Sequence, residues 1–305
     1  MMEDYFLGAN TAQGFTSLYG GFPPGPGAFL HILKGGPGTG KSSMLRAIAA
    51  AANERGLEVQ RVLCSGDPDS LDGVYLPSLG LAWADGTAPH ALEPGLFGVN
   101  GDYVNLGSFF VCPFAAEERE RLLELQREYK SCYRRAYGLL AACEAMGGGR
   151  SEDCPDDALR RAIAELPDRG GSGQLTKRFQ SAITCKGLIR LSDSAGKDHY
   201  IPAPASALPA AAEEARRKGW DTILCLSPLC PRQAEALLLP DCALAFRAVP
   251  DPAPESRPLL EAAVEALREA KTLHDGLEAL YRPHMDFPEL TEYTEKLLRE
   301  LFSEE

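Results

Sequence analysis

His31-Ile32-Leu33-Lys34-Gly35-Gly36-Pro37-Gly38-Thr39-Gly40-Lys41-Ser42-Ser43 is the stretch from which the rest of the chain is best read. Gly35, Gly40, Lys41 and Ser42 fill the fixed positions of G-x-x-x-x-G-K-[ST], the phosphate-binding loop. The apolar run Ala28 to Leu33 precedes it and predicts a buried strand. Ser43 to Ala52 follows and predicts a helix. Strand, glycine loop and helix in that order are the context in which the motif carries meaning.

A polyphosphate must be wrapped by successive backbone N–H groups, and glycine lets the main chain come that close. The helix N-terminus adds unsatisfied donors and partial positive charge. The candidate phosphate-binding residues are therefore Gly35, Gly36, Pro37, Gly38, Thr39, Gly40, Lys41, Ser42 and Ser43. Lys41 is expected to reach the β- and γ-phosphates, and the Ser42 hydroxyl to ligate Mg2+. The bland alternative is a glycine-rich turn with Lys41 as a surface lysine.

The chain has 305 residues, enough for about two domains. Its net charge of −12, with no stripe of Lys or Arg, argues against nucleic acid or an anionic membrane as the main partner, although a local basic groove stays open. Acids at Glu3 and Asp4 do not suit a secretory leader, and no apolar run approaches a membrane span. The nine cysteines form no C-x-x-C pair and fit no zinc spacing, which suits a reducing cytoplasm.

Along the chain, residues 5–20 predict a short strand or turn, and Gly56 a helix C-cap before a strand over Glu58 to Cys64. Ser65 to Gly73 reads as an acid-rich loop containing Asp67. Leu79 to Ala84 then runs apolar and ends on Asp85, the pattern of a Walker-B carboxylate that holds Mg2+. Asp also starts turns such as Asp85-Gly86. His90 falls in the loop beyond that strand, at the edge where α/β sheets bind ligands. Asn105 to Cys112 predicts another strand. Glu117 to Met146 predicts a long amphipathic helix, ended by Gly147-Gly148-Gly149, and Asp156 to Leu166 a short one. Gly170-Gly171-Ser172-Gly173 reads as a flexible linker.

The second half reads as a worn copy of the first. Arg55-Gly56-Leu57-Glu58 parallels Lys218-Gly219-Trp220-Asp221, and Leu76-Pro77 to Trp83 parallels Leu239-Pro240 to Phe246, both at a separation of 163. Phe6 to Gly14 parallels Phe179 to Gly187 at a separation of 173. Under the 163 shift, Gly40-Lys41-Ser42 falls on Ala203-Pro204-Ala205. Asp67 falls on Cys230, Asp69 on Arg232, Asp85 on Ala248 and His90 on Ala253. Loop and acids go together while the apolar patterns stay, which strengthens Asp67 and Asp85 as site residues of the first copy. The Ala-x-Thr-x-x-Gly element survives in both halves, so its expected role is structural.

At these residues the chain resembles an uncharacterised family of bacterial P-loop ATPases with two tandem P-loop-like halves. The resemblance is carried by Gly8-Ala9-Asn10-Thr11 with Gly14-Phe15, by Leu33 to Ser42, by Cys64-Ser65 with Asp67-Pro68, and by Ser70-Leu71-Asp72-Gly73. Asp85-Gly86-Thr87-Ala88-Pro89-His90, Ser181 to Thr184 with Lys186-Gly187, and His274-Asp275 before Met285-Asp286-Phe287 extend it over most of the chain. It implies ATP binding and hydrolysis on a duplicated α/β scaffold. In that family the second half usually carries its own glycine-lysine loop. Ile201-Pro202-Ala203-Pro204-Ala205 stands there in this chain, which speaks against two working sites.

The expected architecture is α/β, with P-loop NTPase-like, mainly parallel sheets, duplicated, and helical extensions after each. The expected domains are a nucleotide-binding lobe over 1–150, a linker with a short helix over 151–173, and a degenerate repeat with a helical tail over 174–305. The two halves are expected to pair as an intramolecular pseudo-dimer. The expected function is binding and slow Mg2+-dependent hydrolysis of ATP in the cytoplasm. Its catalytic candidates are Lys41, Asp85, Asp67 and His90, its metal ligands Ser42 and Asp85. No glutamate follows Asp85 and no Arg finger can be named, hence the slow rate. A RecA- or AAA-like motor, a nucleotide-sensing scaffold without turnover and a small-molecule kinase are the alternatives. No macromolecular partner is indicated.

Overall fold

The structure is a computed structural model describing residues 2–25, 27–147, 155–192, 200–248 and 254–303. Its strands in the first half are β1 (Met2–Tyr5), β2 (Gly8–Thr11), β3 (Gly14–Ser17), β4 (Phe29–Lys34), β5 (Val59–Leu63), β6 (Leu71–Leu76), β7 (Leu81–Asp85) and β8 (Gly101–Asn105). Those in the second are β9 (Leu175–Arg178), β10 (Ser181–Thr184), β11 (Gly187–Arg190), β12 (Ile201–Pro202), β13 (Thr222–Leu226), β14 (Ala234–Leu239) and β15 (Leu244–Arg247). The α-helices are α1 (Lys41–Glu54), α2 (Ala116–Ala145), α3 (Asp157–Glu165), α4 (Leu208–Arg217), α5 (Arg257–Tyr281) and α6 (Phe287–Leu301). The class is α/β.

Packing divides these elements into two compact units. One comprises Met1–Asp4, Phe22–Tyr133 and Ala266–Glu305; the other comprises Tyr5–Gly21 and Arg134–Glu265. This division does not follow the boundary near 151–173 expected from the sequence. The reason is that packing ignores chain order: the C-terminal helical tail belongs with the first sheet, and the early hairpin β2–β3 with the second.

The first unit holds a six-stranded sheet in the order β1-β5-β6-β7-β4-β8. Strand β4 runs parallel to both β7 and β8, whereas β6 is antiparallel to β5 and β7. The sheet is therefore mixed rather than mainly parallel. The links on either side of β6 are too short for the crossover that a parallel pair needs, which takes a dozen or more residues. All six residues of β6 are buried. Helix α1 packs on β6 through Met44, Leu45, Ile48, Ala49 and Ala52, which share one helical face. Ile32, Leu33, Val62, Val74, Leu76 and Trp83 complete that core.

Register places the site. Leu33 lies beside Asp85 and Lys34 beside Asn105, so β4, β7 and β8 end at one edge. Antiparallel β6 begins at that same edge, with Gly73 opposite Ala84. The expected strand over 105–112 is instead a 3-10 turn at Leu106–Phe109 after β8. The Asn105 side chain accepts from the Gly107 amide and turns the chain there, while Leu106 and Phe109 are buried as the apolar pattern demanded.

The second unit holds a five-stranded sheet in the order β12-β15-β14-β13-β9. Its two outer pairs, β12–β15 and β13–β9, are parallel and its two inner pairs antiparallel. In the same order, β4–β7, β7–β6 and β6–β5 of the first sheet run parallel, antiparallel and antiparallel. Even the irregularity recurs, between Val62 and Leu63 in β5 and between Cys225 and Leu226 in β13. The hairpins β2–β3 and β10–β11 match as well. In each, a threonine hydroxyl donates across the turn to a glycine carbonyl, Thr11 to Gly14 at 2.8 Å and Thr184 to Gly187 at 3.0 Å. That is the structural role expected of Ala-x-Thr-x-x-Gly. Helix α4 buries Leu208, Ala211, Ala212 and Ala215 against Trp220, Leu237, Leu239 and Phe246.

Two further expectations are corrected in this unit. The glycine stretch 170–173 is pinned rather than loose: the Gly173 amide donates to Arg216 O at 2.8 Å, and a Cβ on Gly173 would lie 2.1 Å from Trp220 O. The 163 shift also breaks at the loop. Helices α1 and α4 end in register, at Glu54 and Arg217, but α4 starts only at Leu208. Pro204, 163 positions after Lys41, therefore sits in the loop before α4, whereas Lys41 opens α1. Gly148, Gly149 and Ala253, invoked in the sequence reading, lie outside the described residues.

Candidate functional site

The loop between β4 and α1 is shaped by Gly38 and Gly40, which take φ of 68° and 91°, a region that side-chain-bearing residues disfavour. Gly40 precedes α1 and supplies no side-chain cap, so no side chain of the cap competes for the helix's first N–H groups. Thr39 is buried, and its hydroxyl donates to Gly36 O at 2.9 Å, holding the loop curled. Gly35, Gly36 and Pro37 are half-buried, and Ser43 is exposed on the first turn of α1.

Lys41 is not a surface lysine; its side chain is 11% exposed. Its ammonium donates to Gly35 O and Gly36 O, each at 2.8 Å, and lies 3.6 Å from Asp85 Oδ2. Asp85 closes β7. Its Oδ1 accepts from the Thr87 amide at 2.8 Å and the Thr87 hydroxyl at 2.6 Å, leaving Oδ2 to face Lys41. The Ser42 hydroxyl accepts from the Leu71 amide at 3.0 Å, tying the first turn of α1 to the start of β6.

The residue that sequence reading missed is Asp72. It was placed in an acid-rich loop but belongs to β6 and is buried. Its Oδ2 lies 3.1 Å from His90 Nε2, and both side chains are under a tenth exposed. Burial pulls the His90 pKa down, but the charge of Asp72 and its hydrogen bond, helped by the charge of Asp85 and opposed by Lys41, raise it above the ordinary value. Cys64, at the end of β5, has its thiol pKa pushed well up by burial and then by Asp72. A signal for Asp72 was present: under the 163 shift it falls on Glu235, so this acid stays an acid in both halves. Glu235 is likewise buried in β14, and it accepts from the Ser181 hydroxyl.

The structure thus brings Lys41, Ser42, Asp85, Asp72 and His90 to one sheet edge. Asp67 stands apart from their direct contacts. Its carboxylate accepts from the Asp69 amide at 3.2 Å and lies 3.3 Å from Lys271 Nζ on α5. The C-terminal helices reach the loop itself. A Cβ on Gly36 would meet the Tyr281 ring at 2.8 Å, one on Gly38 the Glu278 carbonyl at 3.0 Å, and one on Gly40 the Leu290 side chain at 2.6 Å.

Chemically, the edge offers backbone donors and one ammonium to an anion, and hard oxygen donors from Ser42 and Asp85 to a small divalent cation. That donor set fits Mg2+ and has no soft ligand that would favour a transition metal. Among the described residues no helix is long and apolar enough to cross a membrane. No family model, curated protein or solved structure matches this chain.

Proposed function

We propose that the glycine loop binds the phosphates of Mg-ATP and that the first unit hydrolyses ATP slowly. The observation that carries this reading is the setting of Lys41. Two of its three N–H donors are fixed on the carbonyls of Gly35 and Gly36, so the ammonium is aimed before any ligand arrives. The loop amides and the first turn of α1 would take the phosphate oxygens, and Lys41 the charge that develops on the transferring group. Ser42 and Asp85 would hold Mg2+, which supplies further charge neutralisation when bound. Asp72, 3.1 Å from His90 Nε2, would orient the ring, and His90 would accept a proton from an attacking water.

The fold that this reading implies is that of a P-loop NTPase, present twice. The repeated strand order, the repeated irregularity and the paired hairpins support duplication. The second copy would bind no nucleotide, because its Ala203–Ala207 loop carries no glycine and no lysine. A cytoplasmic setting suits both the ligand and the eight free cysteines among the described residues.

A nucleotide sensor without turnover is the second reading. It is favoured by the absence of a glutamate after Asp85 and by the hold of Thr87 on Asp85 Oδ1. Phosphate release and ATP binding by the full chain, beside Lys41→Ala, test both. Hydrolysis predicts release that falls by about 100-fold or more in the variant. Lys41-dependent binding with no release selects the sensor. Equal behaviour of the two proteins overturns both readings.

A further inference from the structure

Lys271, His274, Glu278 and Tyr281 recur on α5 at spacings of three, four and three, so they share one face of that helix. Each of them touches or senses the candidate site. Tyr281 lies against Gly36, and the Glu278 backbone against Gly38. Burial lowers the His274 pKa against the pull of Glu278 and Asp275, and the charges of Lys271 and Lys41 lower it further. Lys271 Nζ reaches Asp67 Oδ2 at 3.3 Å and also hydrogen-bonds Asp275. The loop that carries Asp67 is itself bound to α1, through Leu71 N on Ser42 Oγ and Arg46 on Asp69 O. One helix face therefore runs from the tip of the glycine loop to the loop that holds Ser42.

We propose that this face of α5 is a wall of the nucleotide site, and that Lys271 is its triphosphate sensor, leaving Asp67 for the terminal phosphate of bound ATP. The proposal rests on the reading of the glycine loop as an ATP site. The physical case is one of exchange. The side chains of Lys271 and Asp67 are 29% and 21% exposed, and ion pairs that water still reaches are cheap to part. A terminal phosphate offers more charge and more acceptor oxygens than one carboxylate. Lysine suits the move, since its ammonium is a point charge on a flexible four-carbon stem. ADP lacks the group that Lys271 would reach, so the contact separates the two nucleotides. Helix α5 would then carry the state of the site along its length.

Equilibrium binding of Mg-ATP (as a non-hydrolysable analogue) and Mg-ADP to the full chain tests this, with Lys271→Gln, Lys271→Arg, Asp67→Asn and Lys41→Ala measured beside wild type. Wild type should prefer the triphosphate. Lys271→Gln should lose about tenfold of that preference, the scale of one charge-assisted contact, with ADP affinity unchanged. Lys271→Arg should keep most of it. Asp67→Asn should keep or increase it, because it frees the lysine. A preference retained in Lys271→Gln, with binding still dependent on Lys41, overturns the role of Lys271 and leaves the ATP site standing. An equal loss in Asp67→Asn overturns it too, since the pair would then act only by holding the loop. No binding by wild type, or binding indifferent to Lys41→Ala, removes the ATP site and the sensor together.

Discussion

His90 and Asp72 show how much one buried pair controls. The raised pKa of His90 means that Asp72 favours its protonated form in the folded chain. A raised folded-state pKa gives stability that is fully present below the unfolded value of about 6.5 and is lost as pH rises through the folded value. Asp72→Asn should therefore lower unfolding free energy by about 1–3 kcal/mol on the acid side of that window. The gap from wild type should close above it, as chemical denaturation across pH would show. Hydrolysis should run the opposite way. If His90 accepts the water's proton, turnover should climb through the same window as the ring loses its own, and His90→Gln should be both slow and flat with pH. A rate that falls as pH rises would assign His90 a cationic role instead. The phosphate-binding residues were legible because their motif is local and needs only spacing. Asp72 was not, because three neighbouring acids in one stretch look alike until a strand buries one of them. The acid at its 163-shifted position, Glu235, and its place in the segment Ser70-Leu71-Asp72-Gly73 marked it out.

At the scale of elements, helices and strands with strong periodicity were legible: α1, α2, α3, β4, β5 and β7 fall where the pattern put them. The turn at Leu106–Phe109 was misread, because its two apolar residues, Leu106 and Phe109, bury as well from a turn as from a strand, and periodicity over so short a stretch cannot separate the two. Sheet direction also escaped, since it depends on which strand slips between β5 and β7. Least legible of all was the contact of α5 and α6 with the glycine loop, which joins residues more than two hundred positions apart. That contact can be weighed by a matched pair. Gly38 and Gly56 have similar φ, 68° and 73°, so alanine meets the same backbone cost of about 1–2 kcal/mol at each. A Cβ at Gly56 enters open space, whereas one at Gly38 strikes the Glu278 backbone, which cannot rotate away. Gly38→Ala should thus be less stable than Gly56→Ala by about 1–3 kcal/mol, the usual cost of overpacking. Equal values from thermal or denaturant unfolding would mean that α5 yields freely at the loop.

For the whole molecule, the sequence halves and the packing units part company, and this has a consequence for any attempt to isolate the proposed nucleotide site. The repeat suggests cutting near residue 174 and keeping the N-terminal half. Such a fragment would lack Ala266–Glu305, which belong to the first unit, and would carry Tyr5–Gly21, which belong to the second. Leu290, Met285 and Leu277, all buried, would be removed, so apolar surface of the first unit would meet water. The orphaned hairpin would present Phe6 and Ala9, wholly buried in the intact chain, and Asn10 without the Ile183 carbonyl that its side-chain amide meets at 2.9 Å. Losing several large side chains from a core at about 1.5–3 kcal/mol each exceeds the margin by which most domains are folded. The fragment 1–173 should therefore be insoluble or lack cooperative unfolding. Co-expression with 174–305 should restore a soluble complex, and under the proposed reading its ATP affinity should equal that of the intact chain, because the cut leaves every residue of the proposed site in place. Size-exclusion chromatography and thermal melts of the fragment alone and of the pair would decide it. A lone N-terminal half that melts cooperatively would show that the sequence repeat, and not the packing unit, is the folding unit.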